Sequence, residues 1–268
     1  MPLFWGGETW DWGERIPMRF KLISCEIFFR EMCAAVARSP HFIDIEFLPK
    51  GLHDMGSASM LARVQAAVDR VESGYDAILM GYGLCNNGLA GLSARAIPLV
   101  LARAHDCITL FLGSKERYLE YFNSNPGVYF KTTGWIERAE NGGGELRQLS
   151  VPSQLGINMS FQELVEKYGE DNARYLFEEL SYSKNYGQFT FIEMGVEPDG
   201  SFEEHTRKLA EERKWKYEKL QGDLSMIQRL VNGQWDDKEF LVIPPGWRVS
   251  AKYDEGIVTA EEIPRDQP

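Results

Sequence analysis

Five side chains suited to soft-metal binding or nucleophilic attack recur at one kind of place along the chain. Cys25 directly follows the apolar run RFKLIS, His53 follows FIDIEFL, Cys85 follows DAILM, and His105 and Cys107 follow IPLVLA. His105-Asp106-Cys107 is an H-x-C element. Neutral imidazole and thiolate suit tetrahedral zinc, and a catalytic zinc keeps one position open. Cys85 or Cys25 would complete three ligands; the leading set is Cys85, His105 and Cys107, with Cys25 as a fourth ligand or as the residue that substrate displaces. Cys25 also opens a predicted helix, whose dipole lowers a thiol pKa, so it is equally a nucleophile candidate. His53, in Gly51-Leu52-His53-Asp54, is a proton carrier or further ligand. Glu193 ends FTFIEM and is an acid–base candidate from the second half. Iron, including an iron–sulfur cluster, is the alternative metal, although no C-x-x-C is present.

Cys85 sits in the loop Gly81-Tyr82-Gly83-Leu84-Cys85-Asn86-Asn87-Gly88. Gly81, Gly83 and Gly88 permit positive φ and close approach of backbone to a ligand. The loop lacks the Gly-Lys-Ser/Thr ending of a P-loop and the spacing of a dinucleotide fingerprint. Arg103 and Arg117 flank the H-x-C element as candidate anion holders, and Pro244-Pro245-Gly246-Trp247 is either a contributor to the same edge or a rigid turn. Cys33 reads as core. His41 and His205 read as surface residues near helix ends.

The elements that must position these residues alternate. Strands are predicted at Arg19–Ser24, Phe42–Leu48, Asp76–Met80 and Ile97–Ala102. Helices are predicted at Cys25–Ala37, Met60–Val71 and Ser114–Phe122. Such alternation makes a Rossmann-like α/β fold, a parallel sheet with helices on both faces and ligands beyond the strands' carboxyl ends. Val128–Glu137 reads as extended, Asn141–Gly144 as a breaker, and Phe161–Tyr182 as a helix kinked near Gly169. A second strand-helix series covers strands Phe189–Met194, Trp215–Leu220 and Phe240–Ile243, with helices Phe202–Lys214 and Leu224–Val231. The expected organisation is an N-terminal extension (1–18), a Rossmann-like lobe carrying the Cys/His site (19–140), a second smaller α/β lobe (141–258) and a frayed tail (259–268).

With 29 basic and 40 acidic residues, the net charge is −11. That argues against nucleic acid or an anionic membrane as the partner, since both need a basic surface. Four cysteines in 268 residues are too few for a disulfide scaffold. The first twenty residues lack a basic region followed by an apolar core, and no apolar run approaches a membrane span, so a cytoplasmic protein is expected. The partner expected is a small-molecule substrate, with a homo-oligomer open.

The stretches FLPKGLHD, YDAILMGYGLCNNGLAGL, ARAHDCITLFLGSKERY, TTGWIE, LQGDLSMIQRLVNGQWD and FLVIPPG resemble domain-of-unknown-function family 1638 of bacteria and archaea. Its members are often encoded near corrinoid-dependent methyltransferase systems. By association, the resemblance implies methyl or one-carbon metabolism and a corrinoid protein or methyltransferase as partner, with corrinoid reaching the chain only through that partner. The H-x-C element is also similar in spacing to that of zinc methyltransferases that pass methyl groups to a thiol. There the second cysteine follows the H-x-C, whereas here both candidates precede it. Three functions are therefore expected: a zinc-dependent enzyme, a non-catalytic metal- or corrinoid-handling partner, or a cofactor-free cysteine-nucleophile enzyme.

Overall fold

AILM and LVLA are short, wholly apolar runs, the signature of strands covered on both faces. They form the centre of a five-stranded sheet. The structure is a computed structural model that describes residues 3–5, 8–10, 17–140, 160–174, 186–252 and 254–264. Strands β1 (Leu3–Trp5) and β2 (Glu8–Trp10) form an N-terminal hairpin. Then come β3 (Arg19–Cys25), a 3₁₀ turn (Glu26–Phe28), α1 (Phe29–Val36), β4 (Phe42–Leu48), a second 3₁₀ turn (Lys50–Met55), α2 (Ser57–Asp69), β5 (Ala77–Gly81) and β6 (Leu99–Ala102). α3 (Cys107–Leu112), α4 (Lys115–Ser124), β7 (Val128–Lys131) and the helical turn α5 (Thr133–Trp135) follow. The remainder is α6 (Phe161–Tyr168), β8 (Gln188–Glu193), α7 (Ser201–Arg213), β9 (Lys216–Gln221), α8 (Ser225–Val231), β10 (Phe240–Ile243), β11 (Trp247–Ala251) and β12 (Val258–Glu262).

The main sheet has the order β10-β6-β5-β3-β4. β3, β4, β5 and β6 run parallel, with Cys25 opposite Leu48 and Ser24 opposite Gly81. The α/β reading of the sequence is thus realised, as a mixed sheet with mostly parallel strands. β10 is its antiparallel edge, pairing Ile243 with Leu99. The smaller sheet, β7-β8-β9, is wholly parallel. It has a core of its own around Phe189, Leu209, Ala210 and Trp215, while Ile192 and Met194 at the end of β8 pack into the main core. α1 packs on α8, so the late chain also returns to cover the main sheet.

Four expectations are corrected. The extended run predicted over Val128–Glu137 stops at Lys131. Thr132 caps the next turn, its hydroxyl accepting from the Trp135 N–H at 3.1 Å, and Gly134 lies so close to the Ile27 carbonyl that no Cβ fits between them. The predicted tail contains β12, which pairs with β11. His41 is buried, not at the surface. Its Nδ1 accepts from the Met18 N–H at 3.1 Å, so its Nε2 donates to the Asn232 carbonyl at 3.0 Å. Cys33 is half-buried rather than core. The predicted breaker at Asn141–Gly144 and helix beyond Arg174 lie outside the described residues.

Candidate functional site

β3 occupies the point where the strand order reverses. The chain leaves β3 for β4 on one side and returns to β5 on the other. In open α/β sheets, the crevice beyond the carboxyl ends at such a point is where ligands bind. Cys25 is the last residue of β3, and the glycine loop begins with Gly81, the last residue of β5. The next strand over, β6, leads to Cys107. Cys25, Cys85 and Cys107 are all buried, at 1%, 7% and 8% exposure. Cys25 acts electrostatically on Cys85, and both act on Cys107, so the end of β3 and the segments after β5 and β6 bring three thiols into one field.

Burial decides the state of these thiols. It pushes Cys25 up to about 12 from 9.0, outweighing backbone N–H donation from Ile27 and Glu26 and the nearby Lys50. The sequence expectation that a helix start lowers this thiol is therefore corrected: desolvation wins. Cys85 and Cys107 are pushed up by the same cause, with Cys25 and Asp106 adding to it. All three thiols are protonated at neutral pH unless a cation draws the proton off.

Backbone pairing holds the two loops together. The Leu84 N–H donates to the Ala104 carbonyl at 2.7 Å, and Cys85 N–H to His105 at 2.9 Å. The glycines serve close approach rather than positive φ. A Cβ on Gly83 would lie 2.8 Å from the Asp106 backbone, one on Gly81 would strike Ser24, and one on Gly88 would strike Met60. Positive φ falls instead on Cys85 (53°), Asn86 (54°) and Asn87 (62°), a left-handed run of non-glycine residues. Such backbone costs on the order of 1–2 kcal/mol per residue, less for asparagine, and clusters at functional sites. Asp106 caps α3, its carboxylate accepting from Ile108 N–H at 2.9 Å and from the Tyr118 hydroxyl at 2.9 Å. α3 was not anticipated, although Asp106 before CITLFL and Gly113 after it (φ 77°) were a legible cap and stop.

Next to Cys25 the site is polar. Glu26 accepts from the Lys50 backbone N–H at 2.8 Å, and the Lys50 ammonium pairs with Asp54 at 3.1 Å and lies 4.9 Å from the Trp135 ring centre. His53 is held down to about 4 by burial, with Lys50 adding to the effect, so it is neutral. Its Nε2 and the Tyr82 hydroxyl are buried without hydrogen-bond partners among the described residues. Tyr82, which sequence reasoning passed over, lies within the field of Cys25 and Cys85. Its signal was an aromatic side chain inside a glycine-rich loop.

The family description "Protein of unknown function (DUF1638)" matches residues 47–231. The chain belongs to this family. No curated protein matches it, and no solved structure does. Within the matched DUF1638 span lie His53, the glycine loop, Cys85, His105, Cys107 and Glu193, whereas Cys25 precedes it.

The remaining candidates of this DUF1638 chain divide. The His105 side chain is exposed and lines a cleft of about 210 Å³ with Thr109, Lys115, Glu116, Tyr118, Leu119, Glu255 and Ile257. Glu193 ends β8 in the other sheet and pairs with Lys219 at 2.9 Å. Arg103 is engaged by the backbone. Its guanidinium donates to the carbonyls of Asp237, Phe240, Gly256 and Val258 and so ties β10 to the β11–β12 hairpin. Arg117 likewise donates to Leu112 and Gln221 carbonyls. Pro244–Trp247 is the rigid turn: Trp247 N–H donates to Pro244 at 3.1 Å. Because β10 is antiparallel, this turn stands at the amino edge, away from the cysteines. Among the described residues, no three histidine, cysteine or carboxylate side chains stand close enough to hold a metal ion as placed. The donor chemistry of the thiols suits a soft ion, but their side chains would have to turn to meet one.

Proposed function

We propose that the chain is a metal-dependent enzyme acting on a small molecule, with Cys25, Cys85 and Cys107 as ligands to one thiophilic ion, zinc first. The observation that carries this reading is that three buried thiols, one at the end of β3 and two in the segments after β5 and β6, act on one another electrostatically beyond the carboxyl edge of the sheet. A bound divalent cation would supply what the protein lacks, a charge that stabilises thiolate at neutral pH. The residues around it have their own parts. Asp106 and the paired loops fix Cys85 and Cys107, neutral His53 is available to accept a proton, and the Tyr82 hydroxyl is an unused donor facing the field of two thiols. His105, first read as a ligand, fits better as a wall of the neighbouring cleft. The reaction class is group transfer in methyl or one-carbon metabolism, the setting implied by the family's gene neighbourhood. A metal-free cysteine nucleophile is less consistent with the site, because burial keeps every thiol of the cluster protonated.

Elemental analysis of anaerobically purified protein tests the reading. About one equivalent of a thiophilic metal is expected, with most of it lost in Cys107→Ser, because thiolate is the stronger soft ligand. Protein that stays metal-free after incubation with zinc would end it.

A further inference from the structure

β4 is an outer strand of the main sheet, and one side of its backbone is unpaired. The Phe42 N–H donates to the Met18 carbonyl at 2.9 Å, and Phe42 stands opposite Arg19 in the parallel ladder. In such a ladder both backbone groups of one residue point to the same side, and the side alternates along the strand. Phe42, Asp44, Glu46 and Leu48 therefore bond to β3. The N–H and C=O groups of Ile43, Ile45 and Phe47 face outward, and none has a partner among the described residues. An open edge is a template for another strand, and proteins blunt it with short length, lysine, proline or bulges. β4 has seven residues in unbroken register and holds no lysine, proline or glycine. The other edges differ: β10 packs against the β11–β12 hairpin, β9 carries Lys216 and Lys219, and β7 has only four residues.

The sequence of β4, FIDIEFL, is a palindrome of chemical type about Ile45. Asp44 matches Glu46, Ile43 matches Phe47, and Phe42 matches Leu48. A two-fold contact between copies needs this self-complementarity. With Ile45 opposite itself in an antiparallel pair, Ile43 meets Phe47 of the second copy, and every outward N–H and C=O finds a partner. Moving the axis one residue toward the carboxyl end would set Ile43 against Pro49, which has no N–H; one residue toward the amino end would carry Phe47 beyond the strand to His41.

The side chains fit the same register. Ile43, Ile45 and Phe47 share one face and are only partly buried, and Phe47 packs on the exposed Phe29 with ring centres 5.2 Å apart. On the other face Phe42, 66% exposed, would lie against the second copy's Leu48. Asp44 would face the second copy's Glu46, and both acids are neutralised in advance. Asp44 pairs with Arg19 at 3.0 Å and accepts from the Tyr75 hydroxyl at 2.7 Å; Glu46 pairs with Arg70 at 2.8 Å and Lys21 at 3.4 Å. The exposed Arg19 and Arg70 guanidiniums flank the acids and complement those of the facing copy.

We infer that β4 pairs antiparallel with β4 of a second copy about Ile45, joining the two main sheets into one continuous sheet. The two halves run in opposite directions, so the thiol sites stand at opposite edges of the joined sheet, and the contact needs no metal.

Sedimentation velocity on the whole chain, between about 1 and 100 µM, should show a species of twice the chain mass that dissociates on dilution. Phe42→Lys changes an exposed side chain, and Ile45→Pro removes an outward N–H without touching the ladder to β3. Each should weaken the dimer roughly tenfold or more, with the far-UV circular dichroism unchanged. Leu119→Lys, at an exposed position on α4, should leave it intact. Residue-resolved hydrogen exchange should find the Ile43, Ile45 and Phe47 amides protected in the dimer and unprotected in Phe42→Lys. A chain that stays monomeric throughout, a dimer undiminished in Phe42→Lys, or a dimer in which these three amides exchange freely would overturn the inference. Protection of the same amides in a monomer would put a segment of the chain itself on the edge and overturn it as well.

Discussion

Glu31 has no exposed surface, and neither carboxylate oxygen has a hydrogen-bond partner among the described residues. Burial, with Glu197 and Glu137 adding to it against Arg30, pushes it up to about 8 from 4.5. A carboxyl raised on folding contributes stability that is present below its unfolded value and lost as pH rises through the folded one. His53, lowered to about 4 from 6.5, works in the opposite direction, losing stability as pH falls from 6.5 to 4. The two oppose each other between pH 4.5 and 6.5, and Glu31 acts alone from 6.5 to 8. At about 1.4 kcal/mol per pH unit, that window removes about 2 kcal/mol. Urea denaturation across it should show this fall in the wild type and not in Glu31→Gln; an equal fall in the variant would contradict the assignment. At this scale the sequence singled out the cysteines but not Glu31 or Tyr82, whose meaning lies wholly in what surrounds them. It also misjudged Cys25, because a helix start is visible in a sequence and complete desolvation is not.

The two loops beyond β5 and β6 act as a pair, and Gly83 sets their spacing. Its φ lies outside the left-handed region, but a Cβ would come within 2.8 Å of the Asp106 backbone. Gly83→Ala should therefore cost about 1–3 kcal/mol, as overpacking does, and should weaken metal binding by moving Cys85 from Cys107. Gly187→Ala, where a Cβ meets nothing within 4 Å, is the control and should stay within about 0.5 kcal/mol. Thermal melts and zinc titrations on both variants check this, and a Gly83→Ala protein as stable as the control would show that the loops tolerate separation. Strands and helices were legible wherever their periodicity ran without interruption, as at Phe42–Leu48 and Phe240–Ile243. α3 and α5 escaped because each is under two turns long and is defined by its cap, Asp106 or Thr132, rather than by a repeating face.

Across the whole molecule, the site follows from strand order more than from any motif. Only the excursion from β3 to β4 and back to β5 brings Cys25 beside Cys85, residues far apart in sequence. The carboxyl edge was legible because alternating strands and helices imply parallel pairing. The pairing of β10 with β6 was not, since nothing local in FLVI states its direction or its neighbour. The central claim is that Cys25, Cys85 and Cys107 form one metal-binding site. Anaerobic titration with cobalt(II), read by its thiolate charge-transfer absorption, tests it most directly. The account predicts a band that saturates at one equivalent and weakens in each of Cys25→Ser, Cys85→Ser and Cys107→Ser, while Cys33→Ser leaves it unchanged. No such band, or one that survives all three substitutions, would contradict it.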